Sequence, residues 1–106
     1  MSSRIEVLKQ FVVDEPENPF NKYALGVEYL SLDINQALKW LNDVLDAHPD
    51  YLPVYYQSAN LYWELGDVDK AESLFQLGIE LATKENDQKT LRELQSAYQN
   101  LQFELD

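Results

Sequence analysis

Apolar residues recur at the three- and four-residue spacing of amphipathic helices, in segments separated by short polar stretches. We predict six helices, over residues 3–14, 19–31, 34–47, 51–65, 68–83 and 88–104. Each connection between them is short, so neighbouring helices are expected to pack as antiparallel pairs. The pattern therefore predicts an all-α fold without a linker.

The apolar positions also predict which face of each helix is buried. In the first helix they form a stripe of Ile5, Leu8, Phe11 and Val12. The inward-facing residues of the later helices are Tyr23, Leu25, Gly26, Tyr29 and Leu30; Ala37, Leu38, Leu41, Val44 and Leu45; Ala71, Leu74, Phe75, Gly78 and Ile79; and Leu91, Leu94, Tyr98 and Leu101.

Two helix starts carry the pattern of a capping box, in which a short polar side chain and a Glu or Gln three residues later bond each other's backbone. Ser3 with Glu6 marks the first helix, and Asp33 with Gln36 marks the third.

Other polar residues and glycine mark where the remaining helices begin or end. Asn18 is placed to cap the second helix, with Pro19 in its first turn, where proline is tolerated. Asp50 is expected to cap the fourth helix. Gly66 reads as a C-terminal stop and Asp67 as the cap of the fifth helix.

Small residues repeat at about one hairpin length. Gly26 is followed by Ala59 after 33 residues, and Ala37 by Ala71 after 34 residues. Periods in this range indicate stacked helical hairpins. Small side chains at these positions allow the two helices of each hairpin to cross closely.

The repeated residues resemble the tetratricopeptide repeat signature, which runs Trp-x2-Leu-Gly-x2-Tyr, then Ala-x3-Phe, then Pro. The first unit matches at Leu25, Gly26, Tyr29, Ala37, Leu41 and Pro49, with Lys22 in place of the tryptophan. The second unit matches at Tyr55, Ala59, Tyr62, Gly66, Ala71 and Phe75, with Ser58 for the leucine and Thr83 for the proline.

The resemblance implies an α-α superhelix of antiparallel hairpins that covers residues 1–106 as a single domain. Its parts are a half-repeat helix (1–18), repeat one (19–51), repeat two (52–85) and a C-terminal capping helix (86–106). Terminal helices of this kind cover the apolar faces of the outer repeats.

In this family the first helices of the repeats line a concave groove that commonly holds a peptide. Carried over by spacing, the peptide-binding residues are Tyr23, Val27, Leu30, Tyr56, Asn60, Trp63, Lys89 and Arg92, with Ser96 and Gln99 beyond them. Aromatic and polar residues together are typical of binding hot spots. The alternative is that Tyr23, Tyr56 and Trp63 pack between helices as core.

The groove positions match the family's lysine-asparagine-arginine clamp for C-terminal carboxylates only at Asn60, so that clamp is not expected. Trp40 is expected to pack against the next repeat, as is Leu74. If Trp40 is exposed instead, it marks a second interaction surface.

The resemblance implies a non-catalytic interaction module, an adaptor, scaffold or chaperone-like protein that binds a peptide segment. The alternative is a self-associating repeat protein, a homodimer through the groove or the end helices. An enzyme is not expected, because the single histidine, His48, lies beside carboxylates at a helix end without a nucleophile. No cofactor or metal is expected.

Charge narrows the class of partner. The chain carries a formal net charge of −11, spread over its length, so it should repel nucleic acid and anionic membranes. A basic or apolar protein segment is favoured. The absence of cysteine and of a long apolar run leads us to expect a cytoplasmic protein.

Overall fold

The computed structural model describes residues 3–105, and these form helices without a strand. The helices are α1 (Arg4–Asp14), α2 (Pro19–Tyr29), α3 (Ile34–Ala47), α4 (Pro53–Glu64), α5 (Val68–Glu85) and α6 (Gln88–Leu105). The all-α prediction with six helices is confirmed for this part of the chain. Residues 1, 2 and 106 of the predicted domain lie outside the described residues.

The helices group into two compact units. The first ends at Tyr51 and holds α1, α2 and α3; the second begins at Leu52 and holds α4, α5 and α6. Within each unit consecutive helices pack against each other.

Helix starts in the first unit follow the predicted caps. The Ser3 hydroxyl accepts a bond from the backbone N–H of Glu6, whose carboxylate accepts one from the Ser3 backbone N–H. Asn18 accepts from the second residue of α2, which begins with a proline. Asp33 accepts from two backbone N–H groups of α3, but its own N–H donates to the backbone carbonyl of Tyr29, so only the Asp33 half of the capping box predicted with Gln36 forms. Local polar chemistry therefore fixes where these helices begin.

The predicted cap at Asp50 is wrong. Leu52 occupies the N-cap of α4 without a side-chain bond, and Pro53 stands in the first turn. Proline has no N–H to satisfy there, and its fixed φ angle favours the helix, so α4 begins two residues later than predicted.

The turns around α5 use left-handed backbone. Gly66 has a φ angle of +85°, and Asp67 then caps α5 by accepting from the backbone N–H of Lys70. Asn86 ends α5 at a φ of +58°, a conformation that asparagine tolerates better than most residues. Helix α5 thus extends two residues beyond its predicted end.

A glycine sets the approach of α2 to α3 in the first unit. A Cβ placed on Gly26 would lie 2.9 Å from Cγ and Cδ2 of Leu41, which is almost fully buried. Leu25, Ala37 and Val44 complete this buried contact. The close crossing predicted at Gly26 is confirmed.

Helix α5 packs against both α4 and α6 in the second unit. A Cβ on Gly78 would lie 2.8 Å from Cβ of Tyr55 in α4 and 3.1 Å from Cδ1 of Leu94 in α6. The buried residues around it include Phe75, Ala82 and Leu101. Gly78 therefore lets two helices approach α5 at the same level.

The apolar stripe predicted for α1 is buried only in part. Leu8 is buried, whereas the side chain of Phe11 is 47% exposed. Helix α1 packs against α2, and the Phe11 side chain is covered only in part. Its backbone carbonyl accepts a bond from the buried amide of Asn21, at 3.3 Å.

Candidate functional site

A cleft of about 400 Å³ lies between α4 and α6 in the second unit. It is lined by Tyr56, Asn60 and Trp63 from α4, and by Arg92, Glu93, Ser96, Ala97 and Asn100 from α6. Residues three, four and eight positions apart share a helix face, which explains why these side chains meet on one surface. The lining therefore follows from helix geometry.

Two contacts hold Trp63 at one end of this α4–α6 cleft. Its indole Nε1–H donates to a carboxylate oxygen of Glu104 in the last turn of α6, at 2.9 Å. Its ring meets Phe75 of α5 edge-on, with 6.5 Å between ring centroids. An edge-on aromatic pair and an indole hydrogen bond fix the orientation of the ring. Trp63 is therefore half-buried and pre-organised.

The opposite face of α6 is bonded to α5. The hydroxyl of Tyr98 donates to Glu72 at 3.3 Å and accepts from the side-chain amide of Gln76 at 2.9 Å. The Tyr98 ring also stacks on Phe75, with centroids 6.0 Å apart. These contacts hold α6 against α5.

Tyr56 and Asn60 supply the open part of the α4 wall. The Tyr56 side chain is 38% exposed. The amide nitrogen of Asn60 donates to the backbone carbonyl of Tyr56 at 2.8 Å, one turn earlier. This bond leaves the carbonyl oxygen of the Asn60 side chain as an acceptor for a bound molecule.

Arg92 brings a positive charge to the α6 wall. Within residues 3–105 its guanidinium has no ion-pair or hydrogen-bond partner. Glu93 brings a carboxylate next to it in sequence. A second depression of about 320 Å³ shares Asn60 and Trp63 and adds Glu64.

Five residues that the sequence placed in a groove thus lie together in the second unit, namely Tyr56, Asn60, Trp63, Arg92 and Ser96. Lys89 and Gln99 are exposed on α6 but do not line the cleft. Glu93, Ala97 and Asn100 were missed. Continuing the spacing of four from Arg92 through Ser96 reaches Asn100, so the sequence carried a signal for it.

The other predicted groove residues belong to the first unit. Val27 lies in α2 and Leu30 follows its last residue; both are half-buried. Tyr23, also half-buried, meets the ring of Tyr51 edge-on, with centroids 5.5 Å apart. Burial, and to a smaller degree the neighbouring Tyr23, raise the pKa of Tyr51 above its ordinary value of 10.0.

Trp40 is half-buried on α3. The ammonium of Lys39 lies 4.9 Å from its ring centroid, within the range of a cation–π contact. Its indole nitrogen is buried without a hydrogen-bond partner among the described residues. Leu74, its counterpart on α5, is buried.

The sequence profile of the tetratricopeptide repeat family matches residues 31–101, about two thirds of the chain. The chain belongs to the tetratricopeptide repeat family. Domains of this family are generally non-catalytic modules that bind other proteins. No curated protein matches the chain.

Three solved structures resemble this tetratricopeptide repeat protein. A crystal structure of a tetratricopeptide repeat domain protein from Salinibacter ruber is 37% identical, with a TM-score of 0.76, over 80% of this chain and 96% of the other. A solution NMR structure of such a protein from the same organism is 39% identical, with a TM-score of 0.76, over 82% and 89% of the two chains. A protein from Bordetella parapertussis is 25% identical, with a TM-score of 0.82, over 98% and 91%.

Two further features of residues 3–105 bear on chemistry. The His, Asp and Glu side chains in this range form no group of three that could hold a metal ion. None of the helices in this range combines the length and the apolar character needed to cross a bilayer.

Proposed function

We propose that this tetratricopeptide repeat protein is an adaptor that binds a peptide segment of another protein in the α4–α6 cleft. The observation that carries the proposal is the cleft itself, where two half-exposed aromatic rings meet amide, hydroxyl and guanidinium groups. Clefts that combine aromatic surface with a few polar groups are typical binding sites.

Pre-organisation supports this role. Trp63 is held by Glu104 and by Phe75, so binding need not order its side chain. A ring that is already ordered lowers the entropic cost of association. In the first unit, we assign a corresponding contact face to Tyr23, Val27 and Leu30 on the equivalent helix.

We propose that the adaptor acts in the cytoplasm and needs no cofactor. Its repeats begin at residues 19 and 52 and form one domain. Its net charge of −11 favours a partner segment that is basic or apolar over nucleic acid or an anionic membrane.

A comparison of two double variants tests the cleft. Tyr56→Ala with Arg92→Ala removes an aromatic ring and a cation from the cleft. Leu77→Ala with Lys84→Ala removes an exposed apolar side chain and a cation from α5. Both variants are checked for unchanged helicity, then used with the wild type for quantitative affinity capture from a lysate.

We expect the wild type and the α5 variant to capture a partner protein equally well. The cleft variant should fail to capture it. A ten-residue fragment of that protein should then shift the NMR signal of the Trp63 indole. Equal capture by all three proteins would show that the cleft is not the binding surface.

Self-association is the second candidate, because exposed Phe11 and Phe103 leave apolar surface on both end helices. Close stacking of two copies would need small residues where their end helices cross, and the end helices carry larger residues at these positions. In α1, Arg4 occupies the position that corresponds to Ala37 of α3. In α6, Gln95 occupies the position that corresponds to Gly26 of α2. Arg4 also pairs with Glu28 at 3.0 Å, so stacking on α1 would disturb an existing contact.

A further inference from the structure

Charge is distributed unevenly along the α4–α6 cleft. Short turns join α4 to α5 and α5 to α6, so α4 and α6 both run antiparallel to α5 and therefore point the same way. The early turns of both helices lie at one end of the cleft, with Arg92 and Tyr56. Their last turns lie at the other end, with Trp63 and Glu104, which the hydrogen bond between them confirms.

The Trp63 end of the cleft carries negative charge. Glu64 is the last residue of α4, and Glu104 is in the last turn of α6. The C-terminal ends of both helices add the negative pole of the helix dipole. The Glu104 carboxylate also bonds the indole N–H, which places its charge at the rim of an aromatic ring. A cation over that ring would meet both the ring and the carboxylates.

The Arg92 end carries positive charge. Arg92 lies in the second turn of α6, with Lys89 one turn earlier, near the positive pole of the α6 dipole. The cap of α6, Asp87, already accepts bonds from the backbone and hydroxyl of Thr90. Glu93 offsets part of the positive charge, so this end attracts an anion less strongly than the Trp63 end attracts a cation.

We propose that the cleft binds an extended segment with a Lys or Arg side chain against Trp63, Glu64 and Glu104, and an Asp or Glu side chain against Arg92. Arg92 and Glu104 are twelve positions apart in α6, which corresponds to about 18 Å of helix. An extended chain covers that distance in about five residues. The inference rests on the proposed peptide binding and specifies the partner's charge pattern.

Four blocked peptides of one uncharged Ser/Tyr/Leu/Ala background test the pattern. They carry Arg and Glu, Arg and Gln, Gln and Glu, or two Gln residues, about five positions apart. Binding is followed by NMR through the indole signal of Trp63, with that of Trp40 on α3 as the internal reference. We expect the Arg–Glu peptide to bind most tightly and the double-Gln peptide most weakly, with roughly a twofold to fivefold gain per charge.

Single variants assign each charge to its end of the cleft. Glu104→Gln keeps an acceptor for the indole but removes the charge, so the Arg–Gln peptide should lose roughly twofold to fivefold in affinity and the Gln–Glu peptide should not. Arg92→Gln should show the reverse. Glu80→Gln, on the exposed surface of α5, is the control and should change neither.

Equal binding of all four peptides with shifts at Trp63 would overturn the charge pattern while leaving peptide binding in the cleft intact. A preference for Gln–Glu over Arg–Gln would also overturn it. Absence of any Trp63 shift would overturn this proposal, and the capture comparison of the two double variants would then decide whether the cleft binds protein at all.

Discussion

Single small residues determine how closely the helices of this protein pack. At Gly26 the nearest atoms to an added Cβ belong to the end of the Leu41 side chain, whereas at Gly78 the nearest is Cβ of Tyr55. A Cβ is fixed to its backbone and moves only with the helix. The two glycines therefore differ in how much a larger residue would disturb the core.

Gly78→Ala should lower the free energy of unfolding by about 1–3 kcal/mol, and Gly26→Ala by less, because overpacking outweighs the gain in helix propensity. Denaturant titration measures both. Ser73→Ala, at an exposed position of the same helix, is the control and should change stability by less than about 0.5 kcal/mol. An unchanged midpoint for Gly78→Ala would contradict the close approach at this residue.

The Tyr51 hydroxyl should titrate above 10.0, because burial and the neighbouring Tyr23 disfavour its charged form. A raised pKa in the folded state contributes stability that is complete below pH 10.0 and is lost as the pH rises through the folded value. NMR titration of ¹³C-labelled tyrosine checks this, with Tyr51→Phe assigning the signal. A Tyr51 pKa at or below 10.0 would contradict the described environment.

At the scale of helices, local chemistry could be predicted from the sequence, but the burial of helix edges could not. Ser3, Asn18 and Asp33 cap helices as expected, because each cap depends on only a few neighbouring residues. The prediction that Asp50 caps α4 was wrong because Pro53 sets the start of that helix. The prediction that Phe11 is buried was wrong because periodicity gives the apolar face of a helix. It does not give how far the neighbouring helix covers that face.

The candidate site shows the same division. Helix spacing predicts that Tyr56, Asn60 and Trp63 share one face of α4, as they do in the cleft. The prediction that this face is the binding face came from the family resemblance. The bond from Trp63 to Glu104 joins residues 41 positions apart, so no local pattern could predict it. The position of Lys89 outside the cleft likewise depends on how α6 is rotated.

Helix α6 should be anchored to α5 through the hydroxyl of Tyr98. Tyr98→Phe leaves Gln76 and Glu72 without their shared partner and should lower the free energy of unfolding by about 0.5–1.5 kcal/mol. Tyr56→Phe removes a hydroxyl from an exposed tyrosine and serves as the control. Equal stability of both variants, measured by thermal unfolding, would show that the hydroxyl network does not stabilise α6.

At the scale of the whole molecule, the net charge of −11 opposes association of copies with each other. Arg4 and Gln95 at the crossing positions of the end helices also disfavour end-to-end stacking. We therefore expect a monomer of 12.4 kDa in sedimentation equilibrium at physiological salt. A dimer mass that falls on substitution of Phe11 or Phe103 by Ser would support self-association instead.

The central claim, that the α4–α6 cleft binds a protein partner, is tested most directly by photo-crosslinking in living cells. A photoreactive phenylalanine analogue replaces Tyr56 in the cleft or, as the control, Leu77 on the exposed surface of α5. We predict a discrete crosslinked partner from position 56 and none from position 77. A partner crosslinked from position 77 but not from position 56 would contradict it.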